Sequence, residues 1–304
     1  MSLLTTSERF EACIIAGAIG DAWGSCYENI QPRNKYNTYY LGISSEPQEN
    51  WELTDDTQLT LATCEALTDM ADFSAEQLAQ SFVRHYRSKQ LTGIGSSTLK
   101  ALRELDAGIH WTQAGRTGEY AAGNGAAMRI APLAFFEYIT KEDIRNATRI
   151  THRNDEAYTG ALAIVIAIQA IIKKEWTGNN SLFDIIIPQL PDTNVKDRMI
   201  AISTSGTTSI QEIASLGVTG YVADSVPFAI YAAAQAPSIG IENMFQQIIA
   251  SGGDTDTNAS IAGQIAGTYL GMANIPGPLI SKLQTLYNYP HLIRIIDKAK
   301  EYIR

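Results

Sequence analysis

An all-α fold in a single domain over residues 1–304 is the architecture the sequence predicts, on three observations. Apolar residues recur at helical spacing along nearly the whole chain. Alternating strand–helix units are absent, which argues against a doubly wound sheet. The composition is 45% hydrophobic and 18% charged over 304 residues, enough for a large core and unlike a disordered or fibrous chain.

The first helix is expected over Ser7 to Ala22, where Phe10, Cys13, Ile14, Gly17 and Ala18 repeat at helical spacing. Its small residues Ala16, Gly17, Ala18 and Gly20 would let another helix approach closely. Leu59, Ala62, Ala66, Leu67 and Met70 mark a second helix over Thr57 to Met70. Ser74 to Ser88 gives a third, and the Gly/Ser-rich loop Thr92 to Thr98 opens a fourth that runs to about Ala107. Further helices are expected at 124–139, 141–149, 153–173, 194–203, 208–215, 221–235, 240–250 and 257–273, and a last one near 289–302. The β-like runs are short: Asn37 to Leu41 and Phe183 to Ile187. Pro188 and Pro191 bracket a turn without a shift in composition, which reads as a helix connection.

Charge and cysteine content narrow the class. With 23 Lys+Arg against 32 Asp+Glu the net charge is −9, which speaks against a general nucleic-acid surface or an anionic-membrane surface. A small anion held by backbone amides or by metal ions remains open. Three cysteines, Cys13, Cys26 and Cys64, form no paired framework and read as reduced. Glu8 and Glu11 interrupt any secretory pattern. The longest apolar run, Ala161 to Ile172, contains Gln169 and falls short of the roughly 20 residues a bilayer span needs. The expectation is a cytoplasmic protein with no membrane partner, and nothing in the sequence demands more than a monomer.

Two acidic clusters stand out. Thr54-Asp55-Asp56-Thr57 precedes an amphipathic helix, where Thr and Asp would also serve as ordinary N-caps. Ser251-Gly-Gly-Asp-Thr-Asp-Thr-Asn258 opens a helix of small residues, and an Asx-rich turn is its plain alternative. Hard oxygen donors of this kind suit Mg²⁺ or Mn²⁺. Capping needs no partner some 200 residues away, whereas four aspartates and two threonines at two helix starts could hold two ions roughly 3.5–4 Å apart. Other templates fail: there is no GxGxxG after a strand, no GxxxxGK[ST], no HExxH and no GxSxG.

Four stretches, in order, resemble the ADP-ribosylglycohydrolase family, of the dinitrogenase-reductase-activating glycohydrolase type. They are Gly17-Ala-Ile-Gly-Asp-Ala-Trp-Gly-Ser-Cys-Tyr-Glu28, Leu53-Thr-Asp-Asp-Thr57, Gly123-Asn-Gly-Ala-Ala-Met-Arg129 and Ser251-Gly-Gly-Asp-Thr-Asp-Thr257. The resemblance implies an orthogonal bundle of a dozen or more helices with a binuclear Mg²⁺ or Mn²⁺ centre. Thr54, Asp55, Asp56, Asp254, Asp256 and Thr257 would be its ligands, and Asp21 would support them from behind. The implied reaction cleaves the bond at C1″ of the distal ribose in an ADP-ribose conjugate. The conjugate is a modified protein side chain, or alternatively a small molecule or nucleic acid; a non-catalytic or structural relative is the remaining reading.

Within that reaction Asp256 or Asp55 is the candidate base, and Glu28 a gate or general acid. Substrate contacts are expected from Gly95 and Ser96, from the loop Gly123, Asn124 and Gly125, and from His152. The amides opening a helix at Gly123 would suit phosphate. Arg129 reads as the member of a structural ion pair, outside the site. His85, His110 and His291 read as surface or structural. The resemblance also implies a departure: several bacterial members of the family have an Asp before the Ile-Gly of the 93–98 loop. Here Gly93 stands in that place, which removes an acidic group that could face a guanidinium.

Overall fold

The computed structural model describes residues 4–28, 50–68 and 72–303, so the β-like run Asn37 to Leu41 lies outside the described residues. Helices dominate. They are α1 (Thr6–Ser25), α2 (Asp55–Thr68), α3 (Ala75–Arg87), α4 (Ser96–Asp106), α5 (Lys141–Arg149), α6 (Asp155–Ile172) and α7 (Leu182–Ile186). The series continues with α8 (Asn194–Thr204), α9 (Ile210–Ala214), α10 (Val222–Ile239), α11 (Ile241–Ser251), α12 (Thr255–Leu270), α13 (Gly277–Gln284) and α14 (Tyr289–Lys300). The buried apolar side chains of these elements form one contiguous core.

The small-residue face of α1 finds its partner in α12. A Cβ at Gly20 would lie 2.2 Å from the Ala259 carbonyl oxygen, and one at Gly24 2.4 Å from that of Thr255. From the other side, Gly263 and Gly267 leave 2.3 Å for the Ala16 and Ala12 carbonyls. The two backbones therefore touch, and no side chain larger than hydrogen fits at the crossing. Thr255 Oγ1 adds a bond to the Gly24 carbonyl at 2.8 Å. This contact brings the end of α1 to the start of α12, some 230 residues later in the chain.

Local chemistry explains most boundaries. Thr5 and Glu8 form a capping box on α1, and Thr140 and Asp143 form one on α5. Asn154 caps α6 by accepting from the amides of Glu156 and Ala157. Helix α6 is long and apolar enough to span a bilayer by length and composition, but 78% of it is buried inside the protein. Its all-round apolar surface is that of a core helix.

Several expectations are corrected. Residues 124–139 do not form one helix: 3-10 turns at Asn124–Ala126 and Ala131–Phe135 replace it, with Pro132 near the start of the second. Phe183 to Ile187 is no strand; Leu182–Ile186 is helical behind a Ser181 cap. Helix α13 was not anticipated because Pro276-Gly277-Pro278 resembles a breaker, although proline is well placed in a first helical turn. The strands that do occur are two residues each: β1 (Arg116–Thr117) pairs in parallel with β2 (His152–Arg153), Arg116 opposite His152.

Candidate active site

Asp21, near the end of α1, is completely buried and lies against the start of α2. Its carboxylate accepts from the Thr54 amide at 3.1 Å, the Thr54 hydroxyl at 2.7 Å, and the amide and hydroxyl of Thr57. A residue of one helix thus caps another, satisfying amides that α2 cannot satisfy itself. The consequence is that Asp55 and Asp56 are released from capping. Asp56 Oδ2 accepts from Thr257 Oγ1 at 3.1 Å. Its other oxygen, Oδ1, is buried with no hydrogen-bond partner.

The second cluster is freed in a similar way. Asp254 occupies the N-cap position of α12 but makes no capping bond. Its Oδ2 instead accepts from Asn124 Nδ2 at 2.7 Å, and that amide also reaches Ser225 Oγ, which donates to Asn258 Oδ1. Two groups of carboxylates result: Asp21, Asp56 and Asp256, and Glu28, Asp254 and Asp256. Within each group one oxygen per residue lies within 4.8 Å of the others, and either could hold a metal ion. Asp256 belongs to both. Asp55 belongs to neither and accepts only a long bond from the Gly95 amide, 3.4 Å.

Packing this much negative charge in the interior shifts Asp21, Asp55, Asp56, Asp256 and Glu28 the same way. Burial, partly opposed by the four bonds from Thr54 and Thr57, pushes Asp21 up to about 6. Burial and then the Asp21 charge push Asp55 up to about 8. Burial raises Asp56 and Asp256 well above the carboxylate range, with neighbouring aspartates adding to it. Glu28, which is exposed, is raised by its partial desolvation and by Asp254 and Asp21. Such a cluster carries protons unless a cation supplies the missing charge. Hard oxygens, a shared carboxylate and the orphaned Asp56 Oδ1 fit a divalent ion of the Mg²⁺ or Mn²⁺ kind.

This has a thermodynamic consequence. A carboxyl whose folded pKa exceeds its unfolded value of 3.8 contributes stability at low pH and loses it as pH rises through the folded value. In chelator, the thermal midpoint is expected to fall from pH 5 to pH 9, through the range set by Asp21 and Asp55. Saturating Mg²⁺ or Mn²⁺ should remove that slope. A midpoint that rises with pH in chelator would contradict the assignment.

Above the carboxylates lies a cleft of about 540 Å³. Gly95, Ser96, Gly123, Asn124, Gly125 and His152 all line it, together with Glu28, Asp55, Asp56, Asp254, Asp256 and Thr257. Asp21 and Thr54 sit behind this wall. Asn124 is not free to offer an amide: its backbone N–H goes to the Gly220 carbonyl and its side chain to Asp254. The helix start that would have suited phosphate is a three-residue 3-10 turn. Truncating Asn124 to Ala is expected to weaken divalent-cation affinity by about 10- to 100-fold in a calorimetric titration, since Asp254 loses its orienting donor.

Sequence reasoning missed Arg116 and Tyr120 as lining residues. Arg116 Nη1 donates to Ser96 Oγ at 3.2 Å, and Tyr120 is 78% exposed at the mouth. A two-residue strand carries no readable pattern, so only the pairing with His152 reveals Arg116. Arg129 lies outside the cleft lining and is fully buried, with its guanidinium 4.5 Å from the Phe82 ring centre and Nη2 bonded to Thr151 Oγ1. Among the described residues no carboxylate pairs with it, and a cation–π contact and a hydroxyl stand where an ion pair was expected. His85 is structural as expected, buried against Glu65 at 2.8 Å, and all three cysteines are free and buried.

An all-α domain with metal-capable carboxylates gathered at helix starts under a polar cleft defines the class. The ADP-ribosylglycohydrolase family profile matches residues 2–303, and the chain belongs to that family. ADP-ribosylhydrolase ARH3 of Homo sapiens is 25% identical, covering 88% of this chain and 87% of the relative. ADP-ribosylarginine hydrolase Tri1 of Pseudomonas putida is 25% identical over 97% of this chain and 79% of its own. A protein of Archaeoglobus fulgidus is 26% identical over 86% of this chain and 87% of its own. A solved structure described as an ADP-ribosylglycohydrolase-related protein complex shares the fold, with a TM-score of 0.70 at 24% identity over 98% of this chain and 99% of that one.

Proposed function

We propose that this protein is a divalent-metal-dependent ADP-ribosylhydrolase that releases ADP-ribose from modified protein side chains by cleaving the glycosidic bond at C1″ of the distal ribose. The observation that carries the reading is the pair of carboxylate groups sharing Asp256 at the base of the cleft. Asp56, Asp254 and Asp256 would hold two Mg²⁺ or Mn²⁺ ions, with Thr54, Thr257 and Asp55 beside them and Asp21 supporting them from behind. When bound, the ions would supply charge that polarises a water and orients the ribose hydroxyls.

The chain's own groups account for the proton movements. Asp55 stands outside both carboxylate groups yet borders the cleft, where cations that balance the buried charge would leave its carboxylate ionised and able to act as a base. It takes a proton from the water that attacks C1″, while Glu28, which lines the cleft, gives one to the departing atom. Breaking that bond builds positive charge on the ribose, which the surrounding carboxylates stabilise. Arg116 and His152 offer donors where the diphosphate of an ADP-ribose would pass. Gly93, beside Thr54 and Asp55, adds no acidic side chain of its own at this edge of the cleft, which speaks against strict arginine specificity.

The test is release of ADP-ribose from Ser-linked and Arg-linked ADP-ribosylated proteins, with Mg²⁺, Mn²⁺ or EDTA, by wild type and Asp254→Ala. Metal-dependent release from one linkage, lost in the variant, is the expected result. Release in EDTA, or no release with no ADP-ribose binding, would sink the reading. Turnover confined to small-molecule or nucleic-acid conjugates would overturn the protein substrate and keep the chemistry.

A further inference from the structure

Arg129 and Thr151, which have no part in the reaction above, join His152 in a chain of hydrogen bonds. Arg129 Nη2 lies 2.6 Å from Thr151 Oγ1, and Thr151 Oγ1 lies 2.7 Å from His152 Nδ1. All three residues are buried, Thr151 completely. The far edge of the imidazole faces the glycine loop of the cleft. A Cβ at Gly123 would be 3.3 Å from His152 Nε2, and one at Gly125 3.0 Å from Cε1. Neither glycine has a positive φ, so both are needed for room and not for backbone conformation. Pairing of β1 with β2 sets Arg116 opposite His152 in the backbone register.

The direction of the bonds follows from the donor inventory. A guanidinium donates and never accepts, so Thr151 must accept from Arg129. The threonine then has one proton of its own to place, and Nδ1 is the acceptor beside it. The opposite tautomer would make Thr151 accept twice and leave its hydroxyl proton stranded in a fully buried position, a costly arrangement. We infer that Arg129 and Thr151 are positioning residues that hold His152 with its proton on Nε2, presenting a fixed N–H donor to the cleft. Burial and the nearby Arg129 and Arg116 charges push this imidazole down to about 3, in keeping with a neutral ring that donates without transferring protons.

That the donor meets a ligand rests on the function proposed above; the tautomer does not. The experiment therefore has two readouts. In protein labelled with ¹⁵N-histidine, His152 is expected to show the Nε2–H pattern in wild type and in Thr151→Ser, which keeps the hydroxyl. Thr151→Val, of nearly equal size, should mix the tautomers, as should Arg129→Gln, whose amide can accept the threonine proton. ADP-ribose affinity should fall about tenfold in Thr151→Val and stay within about twofold in Thr151→Ser. An Nδ1–H ring in wild type, or an unchanged pattern in Thr151→Val, would overturn the relay. An altered tautomer with unchanged ADP-ribose affinity would overturn its role in binding. Absence of ADP-ribose binding in wild type with the expected tautomers would uphold the relay and reject the proposed substrate.

Discussion

Asp256→Asn is expected to lower the rate of ADP-ribose release by at least about 10³-fold, or ~4 kcal/mol of transition-state free energy. The size follows from its place: Asp256 is the carboxylate that both candidate metal groups have in common. Asn matches the shape of Asp but brings no charge, so cations lose their shared ligand while packing stays intact. The variant has a second signature that separates lost chemistry from lost folding. Burial and repulsion from Asp56 and Asp254 raise the Asp256 pKa, so its ionisation opposes folding when no cation is present. In EDTA at neutral pH the Asn variant should melt no lower than wild type. With Mn²⁺ added, wild type should rise and the variant should not. An inactive variant that melts lower in EDTA would point to a structural role instead.

The second large effect is on stability. Gly20→Ala places a methyl group 2.2 Å from the Ala259 carbonyl oxygen, against backbone on the facing helix, which cannot rotate away. Alanine favours a helix over glycine by up to about 1 kcal/mol. The forced separation of α1 and α12 should outweigh this and cost about 3 kcal/mol net. Because Asp21 follows directly in sequence, the same displacement would pull its carboxylate from Thr54 and Thr57. Gly277→Ala is the matched control: its added Cβ meets nothing within 4 Å, and its effect should lie within about 0.5 kcal/mol. Thermal unfolding of the two variants against wild type checks both. Equal midpoints for Gly20→Ala and wild type would mean that the helices can separate freely.

The sequence was most legible where one residue type has few uses. Small residues along α1 announced a close helix partner, and two acidic clusters at helix starts announced oxygen-ligand chemistry. The pattern could not say that the partner is α12, since close approach depends on two surfaces far apart in the chain. Nor could it show that Asp21 caps α2, or that Asn124 spends its amide on Asp254. Those bonds cross between elements, and no local spacing encodes them. The 124–139 stretch misled for a related reason: its apolar residues satisfy helical spacing, but Asn124 bonds outward to Gly220 and Asp254, and Pro132 has no amide to continue a helix. Arg116 and Tyr120 were invisible because they reach the cleft from a two-residue strand and a three-residue 3-10 turn.

The central claim is that two cation sites share one aspartate, and counting bound Mn²⁺ tests it most directly. Calorimetric titration of metal-free protein should give two ions per chain for wild type and loss of both in Asp256→Asn. Asp55→Asn should keep two, because Asp55 lies outside both carboxylate groups. One ion in wild type, or two that survive the loss of Asp256, would contradict the account.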